Sequence, residues 1–321
     1  MSFATHPSAP SARPQEGPHA RPRAGQRLGL AAVAGSLLLA ACTSTSSSGD
    51  SAAPDLHGQL PDPVRSAGVL RVGTDLGYAP IGFKNAEGKP DGLDVDLANA
   101  LGRALGVRVE FSQTPFERLF LGLQGREFDV VMSGMTDNLQ RRDGTDAKGM
   151  KMNSGVDFID YFVTGTSIVV AKGNPQKIAT LDDLCGRTVA LQRSTVQAAL
   201  AERQVPVCEK TRKKLTVQQT DTDDQALALV AQGKAVADLS DTPAAAYAAQ
   251  QGRAGAQFQV VGEQMQPGPY GIVLSKEDTA LRDTLAKALD RVIRSGEYEK
   301  ILSKWGLTAG AAQNAVVNGG F

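Results

Sequence analysis

Apolar positions crowd together over residues 28–41, thin out through a Ser-, Thr-, Gly- and Pro-rich stretch to about residue 60, and then recur with two alternating periods. Short apolar or alternating runs at 70–73, 107–111 and 128–132 predict strands. Between them, Leu93, Leu97, Leu101 and Leu105 recur every fourth position, an amphipathic helix stopped by Gly106. Phe116, Leu119, Phe120 and Leu123 repeat that helical spacing. The order β-α-β-α-β predicts a parallel sheet covered by helices, an α/β fold.

A second set follows Gly165. Strands are predicted at 168–171, 188–191, 215–217 and 236–239, and helices at 195–203 and 223–232. A strand at 270–274 and two helices close the chain, the first carrying Leu281, Leu285, Leu289 and Val292, the second Tyr298, Ile301, Leu302 and Trp305. No internal repeat is evident. Two α/β units in 321 residues imply two lobes with a cleft between them.

Composition narrows the function by exclusion. Lys and Arg number 34 and Asp and Glu 34, so no net charge draws the chain to nucleic acid. The run at 28–41, preceded by Arg21, Arg23 and Arg27, is the one stretch with membrane character, and it reads as a secretory signal too short to span. It ends in Leu39, Ala40, Ala41 and Cys42, which resembles the lipobox of bacterial lipoproteins; the resemblance implies that Cys42 is diacylated and becomes the N-terminus. The alternative is cleavage after an A-x-A site with Cys42 incidental. Residues 1–41 are thus expected to be a signal peptide and 42–62 a flexible tether. If Cys42 carries lipid, Cys185 and Cys208 are left as a candidate disulfide, the alternative being two separate buried thiols. Such a bridge restricts the unfolded chain by roughly 3 kcal/mol in the entropic picture.

Ligands of open α/β sheets bind beyond the carboxyl ends of strands. Four such ends carry polar groups here: 73–80, then 133–136 with Arg141 and Arg142 beyond it, 238–243, and Ser194 with Thr195. The only histidines, His6, His19 and His57, lie in the leader or tether, and no metal-ligand cluster, Walker motif or nucleophile constellation occurs. No cofactor is expected.

The segments LRVGTDLGYAP, GKPDGLDVDLANALGRALGV, FDVVMSGMT, DFIDYF, ADLSDTPAAAY, GPYGIVLSKED and SGEYEKILSKWG, in that order between residues 70 and 306, resemble the family 3 solute-binding proteins. These are the periplasmic or lipid-anchored amino-acid receptors of ABC importers. The resemblance implies a two-lobed type II periplasmic-binding-protein fold with a hinge of two crossing strands, near 164–167 and 267–271. Lobe 1 would comprise 63–165 and 271–321, lobe 2 residues 166–270. It implies that Arg141 clamps a ligand α-carboxylate, with the backbone of Thr195 assisting, and that Asp241 accepts the α-ammonium. Ser133 and Thr136 would add backbone and hydroxyl contacts, Tyr78 and Phe116 aromatic walls, and Asp75 a partner for a polar or basic side chain.

Simpler roles exist for each: a surface charge for Arg141, helix caps for Asp241 and Thr195, core packing for Tyr78 and Phe116, a turn for Asp75. The chain departs from the family pattern in a polar insertion at 143–155, which could hand the carboxylate to Arg142, and at Asn138 and Ile81. The reading is a monomeric, lipid-anchored receptor on the extracellular face of the membrane that passes an amino acid to an ABC permease and is not an enzyme. Its rivals are a ligand-sensing module for a partner receptor and a cyclohexadienyl dehydratase-like enzyme on the same scaffold.

Overall fold

The computed structural model describes residues 55–251 and 257–320. Cys42 and the expected signal segment lie outside them.

Along the chain come Asp62–Ala67 (α1), Val69–Thr74 (β1), the short strands Gly77–Tyr78 (β2), Gly82–Lys84 (β3) and Pro90–Asp91 (β4), Leu93–Leu105 (α2), Arg108–Gln113 (β5), Leu119–Gln124 (α3), Val130–Val131 (β6) and Leu139–Asp143 (α4). Then follow Val156–Ala171 (β7), Thr188–Gln192 (β8), Val196–Lys210 (α5), Thr216–Thr220 (β9), Asp223–Ala231 (α6), Ala237–Asp241 (β10) and Thr242–Gln251 (α7). Phe258–Ser275 (β11), Thr279–Arg294 (α8), Glu297–Trp305 (α9) and Ala311–Val317 (β12) complete the fold.

Helix α2 shows why the local pattern was readable. Leu93, Leu97, Leu101 and Leu105 are all fully buried, each contributing roughly 1.5–3 kcal/mol. Gly106, at φ 70°, ends the helix in the left-handed conformation that glycine adopts without penalty.

The main sheet runs β5-β1-β6-β11-β7-β10-β8-β9, with β12 added on β7. Within each half the outer strands are parallel: β5 and β6 flank β1, and β10 and β9 flank β8. The centre differs from the parallel expectation, because β7 and β11 pair antiparallel and each joins both halves. Residues read as short separate strands thus belong to runs of 16 and 18 residues. Their pairing shifts register between Val261 and Met265, Met265 and Gly268, and Tyr270 and Gly271. Separate apolar cores pack on the halves, one around Leu70, Leu97, Ile272 and Leu285, another around Ile168, Leu191, Ala201 and Leu239. This is the two-lobed architecture.

One boundary needs correcting. Leu56 and Leu60, assigned to the tether, are buried in the first core, so packed chain already includes residues 56–61. Two leucines four apart can reach that core, a signal masked by the polar residues around them. A disulfide joins Cys185 and Cys208 in the second half. Among the described residues no helix is long and apolar enough to cross a membrane.

Candidate functional site

The first wall grows from the carboxyl end of β6. The Gly134 amide donates to Asp94 Oδ2 at 2.8 Å, and the Tyr161 hydroxyl donates to Asp94 Oδ1 at 2.5 Å. Buried on α2, Asp94 is thus the peg on which the loop 133–136 hangs; burial pushes its carboxyl up to about 6. Beyond that loop Asn138 caps α4 by accepting the Arg141 amide at 3.0 Å.

The Arg141 side chain folds back, donating Nη1 to the Thr136 carbonyl at 2.8 Å and Nη2 to the Ser194 carbonyl of the other half at 3.2 Å. Its Cζ lies 5.9 Å from both the Phe116 and Phe120 ring centres, within cation–π range. Burial pulls its pKa down to about 10, while Asp241 and Asp137 pull it back, so it is a cation at neutral pH. Arg142 points elsewhere, to Asp137 and to the carbonyls of Asn318 and Gly320. The insertion at 143–155 turns away at Gly144 and closes on itself through a Thr145–Lys151 bridge.

The second wall is the carboxyl end of β10. Gln197 Nε2 donates to Asp241 Oδ1 at 2.9 Å and the Tyr78 hydroxyl donates to Oδ2 at 2.9 Å. The same hydroxyl accepts the Asp241 amide at 2.9 Å and lies 3.0 Å from Ser240 Oγ. Tyr78 is therefore more than an aromatic wall, since its phenol crosses from the first half to the second. Burial raises Asp241 to about 6, and Tyr270 first, then Tyr78, Gln197 and the Arg141 charge hold it from rising further. Thr195 caps α5, its Oγ1 accepting the Ala198 amide at 3.0 Å and donating to the Gln192 carbonyl at 2.8 Å.

At the third end Asp75 follows β1. Its amide donates to Ser133 Oγ at 3.0 Å, and Gln192 Nε2 donates to its Oδ2 at 3.0 Å. Its carboxyl is raised, first by burial, with Asp224 adding a repulsion. Asp223 next to it is raised to about 7, again first by burial, and Asp224, Asp241 and Asp75 all push the same way.

Asp75, Tyr78, Phe116, Ser133, Thr136, Arg141, Thr195 and Asp241 all line one cavity, together with Gly134, Gln192, Val196 and Gln197. The two glutamines escaped sequence reasoning because an amide has no spacing signature. The signal available for Gln192 was its place at the carboxyl end of a strand.

Residues 70–308 match the bacterial extracellular solute-binding proteins, family 3. The chain belongs to that family. This solute-binding protein is 28% identical to the arginine-binding protein ArgT of Corynebacterium glutamicum over 89% of its own length and 93% of the relative's. It is similar to the solved structure of an ancestral arginine-binding protein bound to glutamine, with 34% identity, a TM-score of 0.65 and coverage of 74% of this chain and 97% of the other. It is also similar to an ancestral amino acid-binding protein described as a precursor of cyclohexadienyl dehydratase, at 33% identity and TM-score 0.66 over 76% and 98% of the two chains.

The cavity of the solute-binding protein offers one desolvated cation and a surplus of carboxylates. Arg141 shares the lining with Asp75 and Asp241, and Asp223 lies near enough for each of those acids to raise it. Acids crowded in this way gain by taking up positive charge, either a proton or a cationic group of a ligand.

Proposed function

We propose that this protein captures an L-amino acid, preferentially one with a cationic side chain, and delivers it to an ABC importer. Arg141 holds the α-carboxylate, for which a guanidinium fork is the suited donor. Asp241 takes the α-ammonium, and Asp75 with Gln192 receives the side chain. Ser133, Thr136 and Thr195 complete the polar contacts, and Phe116 and Tyr78 wall the ligand. In this reading the lobes are 56–165 with 271–321 and 166–270, the first beginning at the packed Leu56. Because the ligand's two poles are gripped from different lobes, it stabilises the closed form over the open one. Cys42 carries the lipid that holds the protein at the outer face of the membrane.

The observation that carries the reading is the presence of Arg141, Asp241 and Asp75 in one cavity lining. The names of relatives add to it, since one is an arginine-binding protein and another a lysine/arginine/ornithine-binding periplasmic protein. A thermal-shift series with the twenty amino acids tests it. Arginine, lysine and ornithine, added as a further ligand, should raise the melting temperature most. Stabilisation by acidic or aliphatic amino acids alone would overturn the cationic preference, and no shift with any of them would overturn amino-acid binding.

A further inference from the structure

The helix that presents Arg141 is held from behind by a part of the chain nearly two hundred residues away. Strand β12 lies antiparallel to β7, and Asn318, Gly319 and Gly320 continue from it. Asn318 is locked onto the β7 edge: its amide donates to the Phe158 carbonyl at 3.1 Å, and its Oδ1 accepts the Phe158 amide at 2.8 Å. The Gly319 amide donates to Asp160 Oδ2 at 2.9 Å and the Gly320 amide to Asp137 Oδ2 at 2.8 Å.

From the opposite side Arg142 donates Nη1 to the Asn318 carbonyl and Nη2 to the Gly320 carbonyl. Its Nε lies 3.1 Å from Asp137 Oδ1, in a pair whose side chains are only 13% and 0% exposed. Breaking a pair so desolvated strands a buried charge. Gly320 sits so close that a Cβ there would run into the Asp137 carbonyl group. Asp137 itself is tied to the crossing strand, its amide donating to the Pro269 carbonyl at 2.8 Å.

Asp137 and Arg142 bracket the cap Asn138 and Arg141 itself. Fixing both ends of a five-residue helix leaves its middle little freedom. We infer that Asn318, Gly319 and Gly320, with Asp137 and Arg142, form a positioning strap that aims the Arg141 guanidinium at the ligand carboxylate. None of these five residues lines the cavity, so they act through Arg141. The inference rests on the proposed binding of amino acids with Arg141 at the carboxylate. It also gives Arg142 a role different from holding the ligand.

The test compares L-arginine with L-argininamide, which lacks the carboxylate charge, by calorimetry on three proteins. These are the full chain, its Arg142→Gln variant and a chain ending at Val317. The strap predicts that arginine affinity falls about tenfold in both altered proteins while argininamide affinity changes less than about twofold. The preference for the carboxylate therefore shrinks. Equal weakening of both ligands, or no weakening, would overturn it, because a purely stabilising role does not distinguish the two compounds. Arg142→Lys keeps the charge but gathers its donors on one nitrogen, without the fixed fork that reaches Asp137 and both carbonyls at once, so it should stay defective.

If the unaltered protein binds neither compound, the functional reading fails and the strap is judged without ligand. Amide exchange at Arg141 to Gly144 should then quicken in the shortened chain while the amides of α2 keep their protection. Unchanged exchange at Arg141 to Gly144 would overturn the strap.

Discussion

The two poles of the cavity are built on opposite principles. At the Arg141 pole a single cation is flanked by aromatic rings and held by backbone carbonyls, groups that do not titrate. At the Asp241 pole a carboxylate is surrounded by the donors Tyr78 and Gln197 and sits among other buried acids. The first pole keeps its charge across the whole physiological range, since about 10 lies well above it. The second titrates near 6. Under the proposed binding mode one site therefore joins a pH-indifferent grip to a pH-sensitive one, and substitutions at the two should differ in kind as well as in size.

Removing the first grip should cost most. Arg141→Ala leaves a ligand carboxylate facing a desolvated wall, and truncating one member of such a pair costs about 3–5 kcal/mol, roughly two to three and a half orders of magnitude in affinity. Calorimetry with L-arginine reads this, and an affinity within about threefold of the original would remove Arg141 from the site. Asp241→Asn keeps the shape and loses only charge, so a smaller loss is expected, about thirtyfold.

The pH response separates the poles further. Asp241 has its folded-state pKa raised to about 6 and must be ionised to hold an ammonium group. Affinity should therefore be full above pH 7 and drop as pH falls through 6, by about tenfold at pH 5. In Asp241→Asn this dependence should flatten. A slope of equal size in the variant would move the titrating group elsewhere, with Asp223 the neighbour to try next, being raised to about 7.

How much of this was legible beforehand differs between local and distant features. Helix α2 and its Gly106 stop were readable because spacing and cap are written within a few residues. All eight candidate side chains meet because strand ends converge in an open α/β sheet, and the resemblance supplied which polar residues to choose. The length of β7 was hidden because Asp157 and Asp160 interrupt its apolar pattern. Their partners, Arg282 for Asp157 and the Gly319 amide for Asp160, lie more than a hundred residues away. Strand β12 was hidden for a related reason: its small and polar residues find their partners on β7 and on α8 and α9, far from it in sequence. The choice between Arg141 and Arg142 needed the C-terminal carbonyls, which no local pattern announces.

Asp75 tests whether the acidic end selects the side chain. Asp75→Asn removes one of the carboxylates that crowd this end while leaving an acceptor for Gln192. The ratio of arginine to glutamine affinity should fall about tenfold, with affinity for glutamine nearly unchanged. If both fall together, Asp75 serves the turn after β1 rather than selectivity.

The smallest effect on binding is expected at the disulfide, although its effect on stability is large. Cys208 lies near the carboxyl end of α5, whereas Thr195 and Gln197, the latter bonded to Asp241, lie at its start. The bridge to Cys185 closes a loop of 23 residues, so its loss frees the unfolded chain by about 3 kcal/mol. The start of α5 has supports of its own, the Thr195 cap and the bond from Gln197 to Asp241. The double substitution Cys185→Ser with Cys208→Ser should therefore lower the melting temperature by several degrees and leave arginine affinity within about twofold. A fall in affinity as large as that of Asp241→Asn would mean that the far end of α5 sets the second pole, and that this grip, unlike the first, depends on the redox state of its lobe.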